Sequence, residues 1–355
     1  MTTGSPATIV EATSRSPDGS PSFAVVSGVQ AERVLHGREN RIVALIEATY
    51  RLHNEGDSVN PPSYLMCFPD RPAARMIALP ASIGGGLRVD GLTWIANFPE
   101  NVPAGLPRTS AVLILNDHDT GYPFACLESS IIGVTRTAAS AALAAGWLSR
   151  SRRHPARAGF VGTGMVARYI HAFLVGTGWS FDEVGMYDTG GVSEFQEYLE
   201  QAGAGARMVE HSDLGELVRS SDLVVFATLS RRPYVHDVSW FAHDPLVLHV
   251  SLRDLAPEVV LASANIVDDV EHALIGRTSL ALAERLAGNR DFVNGTLADV
   301  MAGRVRLPRK GPIIFSPFGL GVLDLAVGKY VYDEVARTGD LLVVDDFFQG
   351  LRRYG

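Results

Sequence analysis

Apolar residues recur at helical spacing between residues 30 and 56, with Val34, Ile42, Leu45, Ile46 and Leu52 on one face. A short apolar run at Phe23–Val26 precedes them and reads as a first strand. From residue 61 to 120 the pattern turns strand-like, punctuated by Pro and Gly. The runs Ala74–Ser82, Leu92–Phe98 and Ser110–Asp117 predict an antiparallel sheet with one helix against it. Residues 124–150, rich in Ala and Leu, predict a single long helix. Beyond residue 157 short apolar runs alternate with amphipathic stretches. Strands are expected at 158–162, 183–188, 206–209, 222–228, 246–251 and 265–269, with helices at 165–178, 192–202 and 213–219. Alternation of this kind implies an α/β fold with a doubly wound parallel sheet. The chain closes with an apolar run at 313–319, a helix from Val322 to Ala336 and a strand near 341–347.

The 355 residues are 46% hydrophobic and 20% charged, enough for a large core in one or two domains. Net charge is −8, which argues against a nucleic-acid partner, since that needs a basic face. No run of about 18 apolar residues appears, so no membrane association is expected. The first twenty residues lack the basic start and apolar centre of a secretory leader. Cys67 and Cys126 are the only cysteines and have no metal spacing, so no metal is expected and a reducing cytoplasm is the default setting. Of 31 basic residues only Lys310 and Lys329 are lysines. A mechanism that draws a lysine from the first 300 residues is therefore excluded.

Gly162-Thr163-Gly164-Met165-Val166-Ala167 follows a strand and opens an amphipathic helix. The first glycine permits a tight turn, the second lets backbone approach a pyrophosphate, and the small Ala167 lets helix and strand pack closely. The helix N-terminus offers free N–H groups and a positive dipole to phosphate. Asp188 ends the next strand, where a carboxylate grips ribose hydroxyls and repels a 2′-phosphate, favouring NAD over NADP. Its plainer reading is an ordinary strand-end carboxylate. Thr228 and Ser251 also end strands and are either cofactor contacts or loop caps. Asp254, just past another strand, is the first choice for acid–base work, or else a partner of Arg253. Arg136 lies inside an apolar helical stretch and is either a substrate-carboxylate clamp or half of a structural salt bridge. Arg75 is a second clamp candidate. His118, beside an Asp-Thr-Gly turn, reads as a solvated turn residue.

Val134-Thr135-Arg136-Thr137-Ala138-Ala139-Ser140, the glycine motif and Ser316-Pro317-Phe318-Gly319-Leu320 together resemble the ornithine cyclodeaminase/μ-crystallin family over about residues 30–335. Arg75–Pro80, Ile83–Gly85, Gly91–Ile95, Leu115–Asp117, Ser251–Asp254 and Val267–Asp269 are similar to its N-((2S)-2-amino-2-carboxyethyl)-L-glutamate dehydrogenase branch, which makes 2,3-diaminopropionate for siderophores and peptide antibiotics. The resemblance implies a Rossmann domain for NAD and a separate substrate and dimerisation domain. It implies Asp254 as the catalytic aspartate and Arg75 and Arg136 as carboxylate binders. The branch carries a substrate-contacting lysine where this chain has Thr93.

The expectation is an NAD-dependent oxidoreductase acting on a secondary-amine amino-acid conjugate. The alternatives are a cyclodeaminase with catalytic NAD and a dinucleotide-binding protein without turnover. Site residues are Asp254; Arg75, Thr93 and Arg136 for substrate; and Gly162, Thr163, Gly164, Met165, Val166, Asp188, Thr228 and Ser251 for cofactor. The domains expected are a tail over 1–21, a substrate and dimer domain over 22–135 and 316–355, and a cofactor domain over 136–315. A homodimer with a small-molecule substrate is expected.

Overall fold

The computed structural model describes residues 22–149, 155–203, 205–344 and 346–348. The expected tail over 1–21 lies outside the described residues. In chain order the front half holds β1 (Phe23–Val26), α1 (Gly28–Leu35), α2 (Glu39–Asn54), β2 (Ser58–Val59), β3 (Tyr64–Phe68), β4 (Arg71–Ile83), β5 (Val89–Asn97), β6 (Thr109–Asp117), β7 (Pro123–Glu128) and α3 (Ser130–Leu148). The next elements are β8 (Arg157–Val161), α4 (Met165–Gly176), β9 (Glu183–Tyr187), α5 (Ser193–Gln201), β10 (Arg207–Glu210), α6 (Leu214–Ser220), β11 (Leu223–Phe226) and β12 (Leu246–His249). They are followed by α7 (Pro257–Leu261), β13 (Ala264–Val267), α8 (Val270–Ala273), α9 (Ser279–Ala287), β14 (Val293–Thr296) and α10 (Leu297–Met301). The chain ends with β15 (Ile313–Ser316), α11 (Gly321–Thr338) and β16 (Leu342–Val344).

Two eight-stranded sheets result. The first runs β16-β1-β7-β6-β5-β4-β2, with β3 also on β4. It is mixed rather than purely antiparallel, because β1 lies parallel to β7 while the tail strand β16 returns antiparallel on β1. The second runs β10-β9-β8-β11-β12-β15-β13-β14 and is parallel throughout. Its strand order reverses between β8 and β11, and a crevice opens at such a point beyond the carboxyl ends.

Two predicted helices are revised. The stretch 30–56 is broken into α1 and α2 at His36–Arg38, where Gly37 takes φ +70°. The stretch 124–150 begins as a strand, because Phe124, Ala125 and Leu127 are buried in β7 between β1 and β6. Only α3 is helical, and the Glu128 carboxylate accepts the Ser130 N–H at 2.8 Å across its N-terminus. By length and composition α3 could cross a membrane, yet 67% of it is buried by the rest of the chain. Its alanines allow that close approach: Ala138, Ala139, Ala141, Ala144 and Ala145 are fully buried. α11 lies on the inner face of the first sheet, where a Cβ on Gly91 would meet Leu325 and one on Gly328 would meet Leu113.

Candidate active site

The glycine turn forms as its residues require. Gly162 has φ +85°, and a Cβ there would come within 2.5 Å of the Ala227 carbonyl oxygen, so no other residue fits. Asp188 ties the turn down: its Oδ2 accepts the Thr163 N–H at 2.8 Å and the Thr163 hydroxyl at 3.2 Å, and its Oδ1 accepts the Gly190 N–H at 2.8 Å. Nothing stands within 4 Å of where a Gly164 Cβ would be, and α4 starts at Met165 with no side chain capping it. Open space before an uncapped helix N-terminus suits a pyrophosphate. Ala167 is fully buried, so α4 packs close to the sheet.

A cavity of about 260 Å³ adjoins this turn, at the carboxyl edge of the parallel sheet. Val166, Thr228, Ser251, Arg136, Ser140 and Gly319 are among its walls. Arg136 is half of a structural salt bridge at the cavity wall. Its Nε donates to Asp324 Oδ1 at 3.0 Å, and Arg136 still lines the cavity. Burial works against its charge, but Asp324 outweighs burial and holds the guanidinium above its ordinary basicity. Gly319, with φ +95°, must lack a side chain, since a Cβ would fall 2.5 Å from Arg136 Nη1. Buried Asp268 anchors that loop, accepting the Phe318 N–H at 2.9 Å and the Gly319 N–H at 2.7 Å.

Asp254, the first choice for acid–base work, follows β12. It is wholly buried, behind the hydroxyls of Thr228 and Ser251, which both donate to it. The Tyr234 hydroxyl adds a third bond at 2.8 Å and His249 Nε2 stands 3.2 Å from Oδ2. His249 Nδ1 lies 3.1 Å from Ser316 Oγ. Burial alone would raise the Asp254 pKa; His249, Ser251 and Thr228 overcome it and hold the carboxyl well below the usual range. The turn that folds Asp254 back costs strain, with Leu252 at φ +68°. Arg253 makes no ion pair with Asp254 among the described residues.

The front sheet presents Thr93 and Arg75 differently. Thr93 sits between Leu79 and Leu113, is 2% exposed, and its Oγ1 has no partner. Arg75 pairs with Asn97 four residues along β4, and burial lowers its basicity. Neither lines the 260 Å³ cavity. His118 Nδ1 lies 2.9 Å from Asp90 Oδ1, beside its turn. Sequence reasoning missed His249, Tyr234 and Asp324, and also Tyr50, which lines the cavity with its hydroxyl 2.7 Å from Ser140 Oγ. His249 had a signal, an isolated polar residue within the apolar run of β12; Tyr234, on a loop, had none.

Set against known proteins, residues 22–339 match the ornithine cyclodeaminase/mu-crystallin family. The alanine dehydrogenase of Archaeoglobus fulgidus is 28% identical over 298 residues, covering 81% of this chain and 88% of that one. The N-((2S)-2-amino-2-carboxyethyl)-L-glutamate dehydrogenase of Staphylococcus aureus is 26% identical over 308 residues, 82% of this chain and 88% of the relative. A solved archaeal alanine dehydrogenase dimer with bound NAD superposes with a TM-score of 0.81 at 25% identity, covering 92% of this chain and all of that one.

Proposed function

Because the chain belongs to the ornithine cyclodeaminase/mu-crystallin family, we propose that it is an NAD-dependent oxidoreductase acting on the carbon–nitrogen bond of an amino acid. The observation that carries this reading is the convergence of Thr228 and Ser251 on a buried Asp254, behind a cavity that Arg136 also lines and that adjoins an open glycine turn.

The cofactor is NAD. Gly162, Thr163, Gly164, Met165 and Val166 would hold its pyrophosphate, and Asp188 its adenosine ribose. When bound, NAD supplies the hydride acceptor that turns the carbon–nitrogen bond into an imine. Arg136 binds the substrate's α-carboxylate, where a planar donor set suits a planar acceptor. Thr228 and Ser251 spend their protons on Asp254 and therefore turn lone pairs toward the cavity. Those lone pairs accept N–H bonds and favour positive charge developing on the substrate nitrogen. Asp254 acts through them: at so depressed a pKa it is a fixed anion rather than a strong base. The same acceptors orient the water that adds to the imine carbon. The carbinolamine then collapses to a 2-oxo acid and a free amine.

The substrate proposed is N-(2-amino-2-carboxyethyl)-L-glutamate or a relative, which yields 2,3-diaminopropionate for a siderophore or peptide product. The catalytic and binding assignments to Asp254, Arg75, Thr93 and Arg136 are part of this proposal. So are a cytoplasmic setting and a homodimer. The outer face of the front sheet supports the dimer, since Pro80, Leu92 and Ile114 line an open apolar groove of about 730 Å³ that a second copy would cover. Incubation with NAD and candidate amino acids tests the reading. NADH with a free amine supports it. Ammonia without NADH points to a cyclodeaminase, and NAD binding without turnover to a binding protein.

A further inference from the structure

A second cavity, of about 480 Å³, is walled by residues that include His171 and Val175 of α4, Trp179 and Phe181 of the loop into β9, and Tyr198 of α5. That loop precedes β9, so the cavity sits at the edge where the parallel strands begin, while the turn at Gly162 follows the end of β8. The sequence builds it from a helix end. Gly178 takes φ +89°, and the Trp179 N–H donates to the Leu174 carbonyl at 3.0 Å, which brings Trp179 back beside the last turns of α4.

Two buried polar groups of these walls lack a partner. Trp179 is 3% exposed and His171 1%, and neither Trp179 Nε1 nor His171 Nε2 has a hydrogen bond. Buried side-chain nitrogens ordinarily find one, because burial has taken their water away. Trp179 stacks on Phe181 with centroids 6.5 Å apart and planes 28° apart, so its N–H edge does not meet the face of that ring. The His171 ring is 6.2 Å from Phe181, and its other nitrogen, Nδ1, lies 3.0 Å from the Tyr198 hydroxyl. Phe181 therefore has both unpaired residues beside it.

The chemistry of the walls narrows what fits. No Asp, Glu, Lys or Arg is among the described residues that line the cavity. Burial holds His171 neutral, with its pKa lowered to about 4, and pushes the Tyr198 phenol up to about 12. An ionised ligand would find no counter-charge there. The Trp179 N–H can only donate, so the ligand must bring an acceptor. His171 Nε2 donates or accepts according to which proton Nδ1 shares with Tyr198, so it takes a second polar group of either kind. Aromatic walls favour a flat ligand, and the volume is ordinary for a small-molecule site.

We propose that this cavity is a second small-molecule site, taking a neutral, planar heteroaromatic whose edge carries a ring carbonyl for Trp179 and a ring nitrogen for His171. The site goes beyond the function proposed above and does not rest on it. α4 runs from the glycine turn to this cavity, so an occupant stands at the far end of the helix that opens toward the pyrophosphate.

Ligand-observed NMR titration of the full chain with 2-quinolinone, quinoline and naphthalene tests this, first without cofactor and then with NADH. The three share a two-ring shape; quinoline keeps only an acceptor, and naphthalene has no polar group. The site predicts 2-quinolinone binding at least about tenfold tighter than naphthalene, with quinoline between them. Trp179→Phe, checked for folding by thermal melt, keeps an apolar wall and removes the N–H. It should cost 2-quinolinone about tenfold and leave naphthalene unchanged. Equal affinities in the parent, or no binding of 2-quinolinone at millimolar concentration, overturn the proposal whatever the variant does. So does displacement of 2-quinolinone by NADH, because the probe would then sit in the dinucleotide crevice. A folded Trp179→Phe variant that binds 2-quinolinone as the parent does overturns it as well.

Discussion

Asp254 has no exposed surface, yet every polar group around it points at it, and that sets what its replacement does. Asp254→Asn keeps the shape but removes the anion that orients Thr228, Ser251 and Tyr234. Turnover should fall by about 100-fold or more with NAD affinity nearly unchanged, read by single-turnover kinetics beside an NADH titration. Near-parental turnover would end Asp254's role. Gly319→Ala forces a Cβ against Arg136 and a side chain into φ +95°. KM should rise more than kcat falls, and stability should drop by about 1–3 kcal/mol. Thr93→Lys would bury an ammonium between Leu79 and Leu113 at a cost of several kcal/mol, seen as a lowered Tm. A lysine variant as stable as the parent would show room for charge beside Thr93. The strand-end residues Thr228 and Ser251 and the aspartate after β12 were legible because a parallel sheet directs all its carboxyl ends to one edge. The depth of Asp254 was not legible, because burial depends on Tyr234 and His249 arriving from elsewhere.

At the scale of elements, alternation of short apolar strands with helices was enough to read the parallel sheet. Continuous stretches misled where two elements abut without a loop. β7 runs into α3 through Ser129 alone, and the Ala- and Leu-rich composition masked the change. The break between α1 and α2 rests on one left-handed glycine. At the glycine turn, Asp188→Ala removes three hydrogen bonds to the loop as well as the charge proposed to face the ribose. NAD affinity should fall and the preference over NADP shrink; a parent that prefers NADP would contradict the assignment. A second junction joins α2 to α8. Asp269 Oδ1 stands 2.8 Å from His272 Nδ1, and its Oδ2 lies 3.5 Å from His53 Nε2. Hydrogen bonding to Asp269 raises His272, while His272 and His53 lower Asp269. A raised histidine contributes stability at low pH that is lost as pH climbs through its folded value. A lowered aspartate contributes above its unfolded value, and that contribution is lost as pH falls through the folded one. The network therefore contributes most between about pH 4 and 6.5. The Tm difference between parent and Asp269→Asn should be largest near pH 5–6 and shrink as pH climbs through the raised value of His272. A difference independent of pH would contradict this account.

At the scale of the whole molecule, the tail completes what the front half starts. β16 closes the first sheet on β1, α11 fills its inner face, and Asp324 of α11 holds Arg136. The outer face stays apolar, and a homodimer by light scattering at micromolar concentration is the expected state; a monomer would remove that claim. The most direct test of the account is the product balance with NAD and N-(2-amino-2-carboxyethyl)-L-glutamate. The prediction is one NADH formed for each free amine and 2-oxo acid released, with the yield abolished in Asp254→Asn. Tight NADH binding by the parent with no NADH formed from this or any other acidic conjugate would contradict it.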